Sequence, residues 1–307
     1  MIHSFTIANY LGDKIEIDLR KPEISGFLIQ SVTGLGPVKA TVNTVEVATD
    51  DGSMYNSARL SQRNIVFQLI YRETISGESI EDVRQKSYKF FSVKRKIEVI
   101  IETDNRKVKT TGYIESNEPN IFSSQEGSQI SIICPDPYFY SIDDETRNHT
   151  NLYGTSPLFE FSFSNESLNE SLLEFGAIQT HAEGVVTYHG DTEVGVTISI
   201  HIIGSVSNIQ LLNTTTKKKM VINTDKIEKV TGDDISIGDD IVISTIRGEK
   251  GVTFIKNGIA YNVLNSLDKN TDWITIIPGD NILAFSAETG EDNLQVRIEY
   301  FTVYEGV

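Results

Sequence analysis

The chain has 307 residues, 39% of them hydrophobic and 23% charged, with 22 glycines and 7 prolines. These proportions exclude disordered, collagen-like and low-complexity chains, and the length suits two domains, each with its own core. The net charge of -16 is uneven: residues 1–140 carry 16 Lys and Arg against 18 Asp and Glu, and residues 141–307 carry 11 against 25, so sequence-independent nucleic-acid binding has no electrostatic footing.

The first ten residues lack a basic region and alternate as a strand, which predicts no signal peptide. Strands are expected at Ile15 to Leu19 and Asn64 to Tyr71. Between them, Gly34-Leu35-Gly36-Pro37 begins like a dinucleotide loop but lacks the third glycine. Pro37 also stands where a helix would begin donating amides, so a turn is the expectation. Residues 79–91 carry the one persuasive helical period. Ser79 and Asp82 have capping-box spacing, and Ile80, Val83, Ser87 and Phe90/Phe91 share a face.

Period two then resumes at Ile97 to Glu102, Lys107 to Ile114, Ser128 to Cys134 and Leu158 to Phe163. It is clearest in Val194, Val196, Ile198, Ile200 and Ile202. Further strands are expected at Asn208 to Asn213, Ile241 to Thr245, Val252 to Lys256, Trp273 to Ile277 and Gln295 to Tyr304. Asp104-Asn105, Gly238-Asp239-Asp240 and Pro278-Gly279-Asp280-Asn281 read as turns. The whole is mainly antiparallel β, with a domain boundary in the polar stretch 141–157, where the charge shifts.

No stretch of apolar residues exceeds Ile282 to Phe285, so no membrane span is expected. Cys134 is the only cysteine, which excludes an intrachain disulfide and a Cys-based zinc site. The five histidines (His3, His149, His181, His189, His201) never fall at metal-ligand spacing, and neither a P-loop nor a nucleophile elbow is present. Asp233-Asp234 and Asp239-Asp240 invite a calcium or glycosidase reading, but Ile235 and Ile237 alternate with Ser236 and Gly238 like a short strand between turns. Solvated turn aspartates are then the expectation. Lys94-Arg95-Lys96 and Lys217-Lys218-Lys219 are explained by helix capping and solvation. No catalytic site, metal or cofactor emerges, which favours assembly or binding.

The run Ile130-Ser131-Ile132-Ile133-Cys134-Pro135-Asp136-Pro137-Tyr138-Phe139-Tyr140 resembles the end of the N-terminal domain of bacteriophage distal tail proteins (Dit), the baseplate hub components of long-tailed phages. Asp51-Gly52, Arg59, Arg63-Asn64-Ile65-Val66, Arg84, Tyr88 to Phe91 and Thr111-Gly112-Tyr113-Ile114-Glu115 are similar to the same family in order and spacing. So are Tyr188-His189-Gly190-Asp191-Thr192-Glu193-Val194-Gly195, Asp240-Ile241-Val242-Ile243, Trp273, Ile276-Ile277-Pro278-Gly279-Asp280-Asn281 and Tyr304-Glu305-Gly306-Val307, which resemble its second domain. One departure is Val194-Gly195, where relatives often carry Thr-Gly.

The resemblance implies an N-terminal β-sandwich with one α-helix and an extended hairpin (residues 1–140), a linker (141–157) and a C-terminal galectin-like β-sandwich (158–307). It makes Cys134, Pro135, Asp136, Pro137, Tyr138, Gly190, Asp191, Trp273, Pro278 and Gly279 the motif residues. It further implies a homohexameric ring through which DNA passes ungripped. The hairpin, expected within Val32 to Gln62, would reach the neighbouring copy; this Thr-, Asn-, Ser- and Gly-rich stretch suits an element that must avoid wrong pairing. The tail tube protein, a tail-associated lysin or tail fibre, and receptor-binding proteins are the implied partners. The implied place is the virion tail tip, after assembly in the host cytoplasm, with no enzymatic activity. Two rivals stand beside this: an adhesin binding host-wall glycans through Trp273, Tyr188 and other aromatics, and a glycoside hydrolase using Asp233, Asp234, Asp239 or Asp240.

Overall fold

The computed structural model describes residues 1–46, 51–142, 148–156, 177–180 and 183–307. Two compact units share the chain. One is Met1–Glu145 with Val303–Val307, and the other is Thr146–Thr302. The expected strand from Leu158 to Phe163 and His181 lie outside the described residues, as does part of the expected linker.

The first unit begins with β1 (Ile2–Ala8), β2 (Lys14–Asp18), the single turn α1 (Pro22–Ser25) and β3 (Phe27–Thr33). Next come β4 (Ala40–Glu46), β5 (Ser53–Leu60), β6 (Arg63–Tyr71) and α2 (Ile80–Phe90), then β7 (Lys96–Thr103), β8 (Lys107–Asn120), β9 (Gly127–Cys134) and β10 (Phe139–Ser141). An antiparallel sheet in the order β2-β1-β7-β8-β9-β6-β3 forms the body. Strand β10 joins β8 on one side and Val303–Tyr304 on the other. Alternation decides what points inward: Ile65, Phe67, Leu69 and Tyr71 of β6, and Ile97, Val99 and Ile101 of β7, are all buried. Ile15 and Ile17 of β2 and Phe27 of β3 enter the same core, so the two ends of the sheet curl around it. Phe27 meets Tyr71 and Phe91 edge to face, with ring centroids 6.0 and 6.1 Å apart.

Helix α2 closes this core with Val83, Ser87 and Phe90. Its capping box forms as expected: the Asp82 amide donates to the Ser79 hydroxyl at 3.3 Å, and the Ser79 amide donates to the Asp82 carboxylate at 2.9 Å. The hydrogen bonds from Ser79 hold the Asp82 pKa below its usual value. The carboxylate's help to the cap is therefore present above the ordinary Asp range and lost as acid protonates it. Ser79→Ala is expected to cost about 1 kcal/mol, read from urea unfolding at neutral pH.

The second unit contains β11 (Asn148–Asn151), β12 (Tyr153–Ser156), β13 (Ala177–Thr180), β14 (Glu183–Tyr188), β15 (Val194–Gly195), β16 (Thr197–Ile202), β17 (Ser207–Asn213) and β18 (Lys218–Ile222). Helix α3 (Thr224–Thr231) precedes β19 (Asp240–Ser244), β20 (Gly251–Lys256), β21 (Ile259–Asn262), β22 (Thr275–Ile276), β23 (Gly279–Thr289) and β24 (Leu294–Tyr300). A six-stranded sheet, β11-β24-β16-β19-β20-β21, and a four-stranded sheet, β14-β23-β17-β18, supply one shared core. Ile198, Ile200, Ile241, Ile243 and Phe254 come from the first, and Val186, Tyr188, Leu211, Met220 and Phe285 from the second. That is sheet-on-sheet packing.

The structure corrects several sequence expectations. Residues 235–238 form no strand, because Ile235 packs on the core while Ile237 is exposed in a turn closed by the Asp239 amide on Ser236 O. Asp239 is not solvated: it is buried and accepts from the Ser236 amide at 2.8 Å. Pro278-Gly279-Asp280-Asn281 is less a turn than the entry to β23, whose first residue is Gly279. Helices α1 and α3 add to the single helix expected. Tyr304 to Val307, matched by resemblance to the second domain, belong to the first unit.

Candidate assembly interface

Cys134 ends β9, and Pro135, Asp136, Pro137 and Tyr138 form the link to β10. Burial pushes the Cys134 thiol up, so it is an inert, protonated core group. The Asp136 carboxylate accepts from the Tyr138 amide at 3.2 Å and the Tyr140 hydroxyl at 2.5 Å, which fixes the turn and sends the Pro137 carbonyl inward.

That carbonyl meets Arg63, which is 1% exposed. Arg63 Nε donates to Pro137 O at 2.7 Å, and Nη1 donates to Gly34 O and Gly36 O at 2.5 and 2.7 Å. Nη2 donates to Glu305 O at 2.7 Å, and the guanidinium lies 4.2 Å from the Phe139 ring centroid. Four carbonyls and an aromatic face thus receive the buried charge, and the planar fork fits them as a point cation could not. Burial lowers the Arg63 pKa, opposed by the Asp136 carboxylate, yet an arginine stays charged at neutral pH. The resemblance singled out Arg63 only as part of a string. Its two-residue phase with Ile65, Phe67 and Leu69 was the signal that its side chain points inside.

Gly34 has φ 85°, and a Cβ there would lie 2.0 Å from Asn64 O. Only glycine fits. Gly34→Ala is expected to destabilise the first unit by on the order of 3 kcal/mol in urea unfolding, from left-handed strain plus the clash.

Directly beyond residues 34–39 the chain leaves the body as β4 and comes back antiparallel as β5 to Arg63. Strands β4 and β5 pair only with each other among the described residues. Every described residue from Lys39 to Gln62 is exposed. The register opposes Ala40 to Leu60, Val42 to Ala58 and Thr44 to Tyr55, with a bulge between Asn43 and Thr44. One face of this arm is therefore largely apolar: Ala40, Val42, Tyr55, Ala58 and Leu60, with Thr44 opposite Tyr55. The other carries Thr41, Asn43, Ser57 and Arg59 near the root, with Asn43 Nδ2 donating to Ser57 Oγ at 3.0 Å, and the exposed pair Val45 and Met54 farther out. Val42 is 55% exposed and Tyr55 67%. Single exposed apolar residues are ordinary, whereas a contiguous face of them marks a contact surface.

The other predicted residues lie in the second unit. Gly190 and Asp191 follow β14, whose Tyr188 pairs with Gly279, and precede β15, whose Val194 pairs with Ile276. Pro278 and Gly279 therefore run beside them. Buried Asn281 locks this corner, its Nδ2 donating to Ile277 O at 2.7 Å and Gly279 O at 3.1 Å, while the Ile277 amide donates to Oδ1 at 2.9 Å. Trp273 packs on the core with Lys250 Nζ 5.3 Å from its ring centroid. Glu193 pairs with Lys218 at 2.5 Å, and these contacts with Lys218 and Thr275 lower its pKa from 4.5. The pair's contribution is thus present above about pH 4.5 and lost as pH falls through the lowered value. An NMR titration of the Glu193 carboxyl carbon is expected to show its midpoint below 4.5.

Tyr188 is 1% exposed, so it offers no sugar-stacking face. Asp233 and Asp234 are exposed, Asp239 is buried against Ser236, and Asp240 pairs with His201 at 2.7 Å. Among the described residues no group of three or more His, Cys, Asp or Glu is placed to hold a metal ion. None of their helices is long and apolar enough to cross a membrane.

The fold is thus that of a two-unit, mainly β protein with a protruding arm. No protein-family model and no curated protein matches the chain. Among solved structures it is similar to SPP1 Dit (gp 19.1), described as a paradigm of the hub adsorption apparatus in phages that infect Gram-positive bacteria. The TM-score is 0.60 at 14% identity, over 98% of both chains, which establishes a shared fold. Two structures of the phage P2 baseplate in its activated conformation also match. The one with Ca has a TM-score of 0.42 at 14% identity over 98% of both chains. The one with Sr has 0.41 at 13%, over 96% of this chain and 97% of that one.

Proposed function

We propose that the protein is a distal tail hub: six copies close into a ring around the DNA channel and join the tail tube to the baseplate and its receptor-binding proteins. The observation that carries this is the fold shared with SPP1 Dit along 98% of both chains. The arm supports it independently, because it presents an apolar face with no partner in its own chain among the described residues. The first unit forms the ring, and the second, a galectin-like sandwich, carries the acidic surface toward the baseplate proteins. The near-neutral first half suits packing six copies side by side, since a strong single-sign charge would drive them apart. The protein works by assembly, as repeated heterologous contacts closing on themselves, and not by catalysis. It belongs to the virion tail tip and assembles in the host cytoplasm.

Mass photometry and light scattering of the purified chain, followed by negative-stain imaging, test this. A sixfold ring with a central hole is expected, alone or on added tail tube. A strict monomer up to about 100 μM that stays monomeric on tail tubes would overturn the reading. Burial of Tyr188 removes one of the two aromatics the adhesin rival named, and glycan-array binding lost on Trp273→Ala is the result that would revive it.

A further inference from the structure

We infer that Arg63 and Val303–Val307 form a clasp on the root of the arm, and that the arm keeps its strand pairing and direction only while this segment is seated. The inference deepens the hub reading, on which the use of the arm rests. The clasp itself rests on geometry within the first unit.

An isolated two-stranded hairpin is marginal in water, because its pairing must offset the entropy of both strands with no sheet to lean on. Tying its two open ends together removes much of that cost by shortening the search for pairing. Arg63 does this. It stands on the returning side, two residues after Ser61, and its Nη1 donates to Gly34 O and Gly36 O on the outgoing side. Among the described residues the roots also share a backbone bond beyond the strand pairing, from the Ser61 amide to Lys39 O at 3.4 Å.

The segment Val303–Val307 completes the tie. Glu305 O accepts from Arg63 Nη2 at 2.7 Å, and the Val307 amide donates to Leu35 O at 3.1 Å. These two bonds flank Gly306, which lies so close to the outgoing root that a Cβ would sit 3.2 Å from Leu35 O and 3.3 Å from Pro37 Cδ. Upstream, Val303 and Tyr304 pair with Tyr140 and Phe139, and the Tyr304 ring lies 4.1 Å from the Arg106 guanidinium carbon. Leu35, Tyr304 and Val307 all pack on the core. Residues more than 240 positions from Arg63 in sequence thus finish the socket in which the arm is rooted. Arg63 is the positioning residue, and the segment supplies its last acceptor and covers the loop it holds.

Hydrogen-exchange mass spectrometry of the full chain, of Gly306→Val and of a chain ended at Thr302 tests this. Valine at 306 crowds the segment against Leu35 and Pro37, 3.2 and 3.3 Å from its Cβ, and keeps the chain whole, so it stays informative if the shortened chain does not fold. Exchange in residues 34–46 and 53–62 is expected to quicken at least tenfold in both variants, while in Gly306→Val β6 and β9 keep their protection. Arm exchange within twofold of the full chain in Gly306→Val would overturn the clasp. So would protection lost equally from β6 and β9, since the segment would then serve the whole unit rather than the arm. Ring yield is measured in parallel. A full chain that never forms rings defeats the hub reading, while the exchange result still decides the clasp.

Discussion

Replacing Arg63 by methionine is expected to destabilise the first unit by on the order of 3–5 kcal/mol, since four carbonyls each lose a hydrogen bond to a charged donor, worth about 1.5–3 kcal/mol where no water replaces it. Methionine fills much of the same volume but offers no donor. The carbonyls of Gly34, Gly36, Pro137 and Glu305 would then lose the hydrogen bonds they now accept. In a unit of about 150 residues, this loss lowers Tm on the order of 10 °C. Arg63→Lys should fall between wild type and methionine, because an ammonium keeps the charge but cannot spread donors over four acceptors. The chain provides its own control. Trp273, the only tryptophan, lies in the second unit, so its fluorescence reports that unit while far-UV circular dichroism reports both. The variant should move the dichroism transition and leave the tryptophan transition in place. Equal shifts in both would mean that the units melt together and that Arg63 is not confined to stabilising the first.

Much of the fold is legible in residue order because period two survives wherever one face of a strand is buried. Val196, Ile198, Ile200 and Ile202 announce β16, and Ile97, Val99 and Ile101 announce β7. The capping residues Ser79 and Asp82 place the start of α2 to the residue. The same rule explains what is hidden. Strands β4 and β5 bury nothing within the described chain, so their sequence carries no burial signal, and only their polar, small-residue composition and the family resemblance pointed there. Helix α3 spans two turns and buries only Thr224 and Ile227, too little for a period to emerge. Asn223 as N-cap and Gly232 as C-cap were its readable marks. Segment 194–202 reads as one strand, yet Val194–Gly195 pairs with β22 and Thr197–Ile202 with β16's neighbours β19 and β24. Alternation says which side chains are buried but not which strand lies alongside. The Arg63 socket was illegible for a further reason. Its acceptors are main-chain carbonyls, which leave no imprint on residue identity except at Gly34, where the backbone demands glycine.

Charging the apolar face of the arm is expected to abolish ring formation while leaving the monomer intact. Val42 and Tyr55 lie on that face, and both are more than half exposed in the single chain, so Val42→Asp with Tyr55→Asp should change monomer stability by no more than about 0.5 kcal/mol each. Against a neighbouring copy the balance differs. Each side chain buried there contributes about 1.5–3 kcal/mol, and a carboxylate in its place adds a desolvation cost. A loss of 3 kcal/mol is already about 100-fold in each contact, at roughly 1.4 kcal/mol per factor of ten. A ring repeats that penalty at every interface, and closure needs all of them. The opposite face supplies the control. Thr41→Lys and Ser57→Lys place charge on the polar root half of that face, beside Arg59 and away from Val45 and Met54, and should leave ring yield within about twofold of wild type. Mass photometry of the two pairs side by side gives the answer. Loss of rings in the first pair alone assigns the apolar face to the neighbour contact. Equal yields from both pairs and the unaltered chain would mean that the arm closes no ring, and that the contact between copies lies on the body of the first unit.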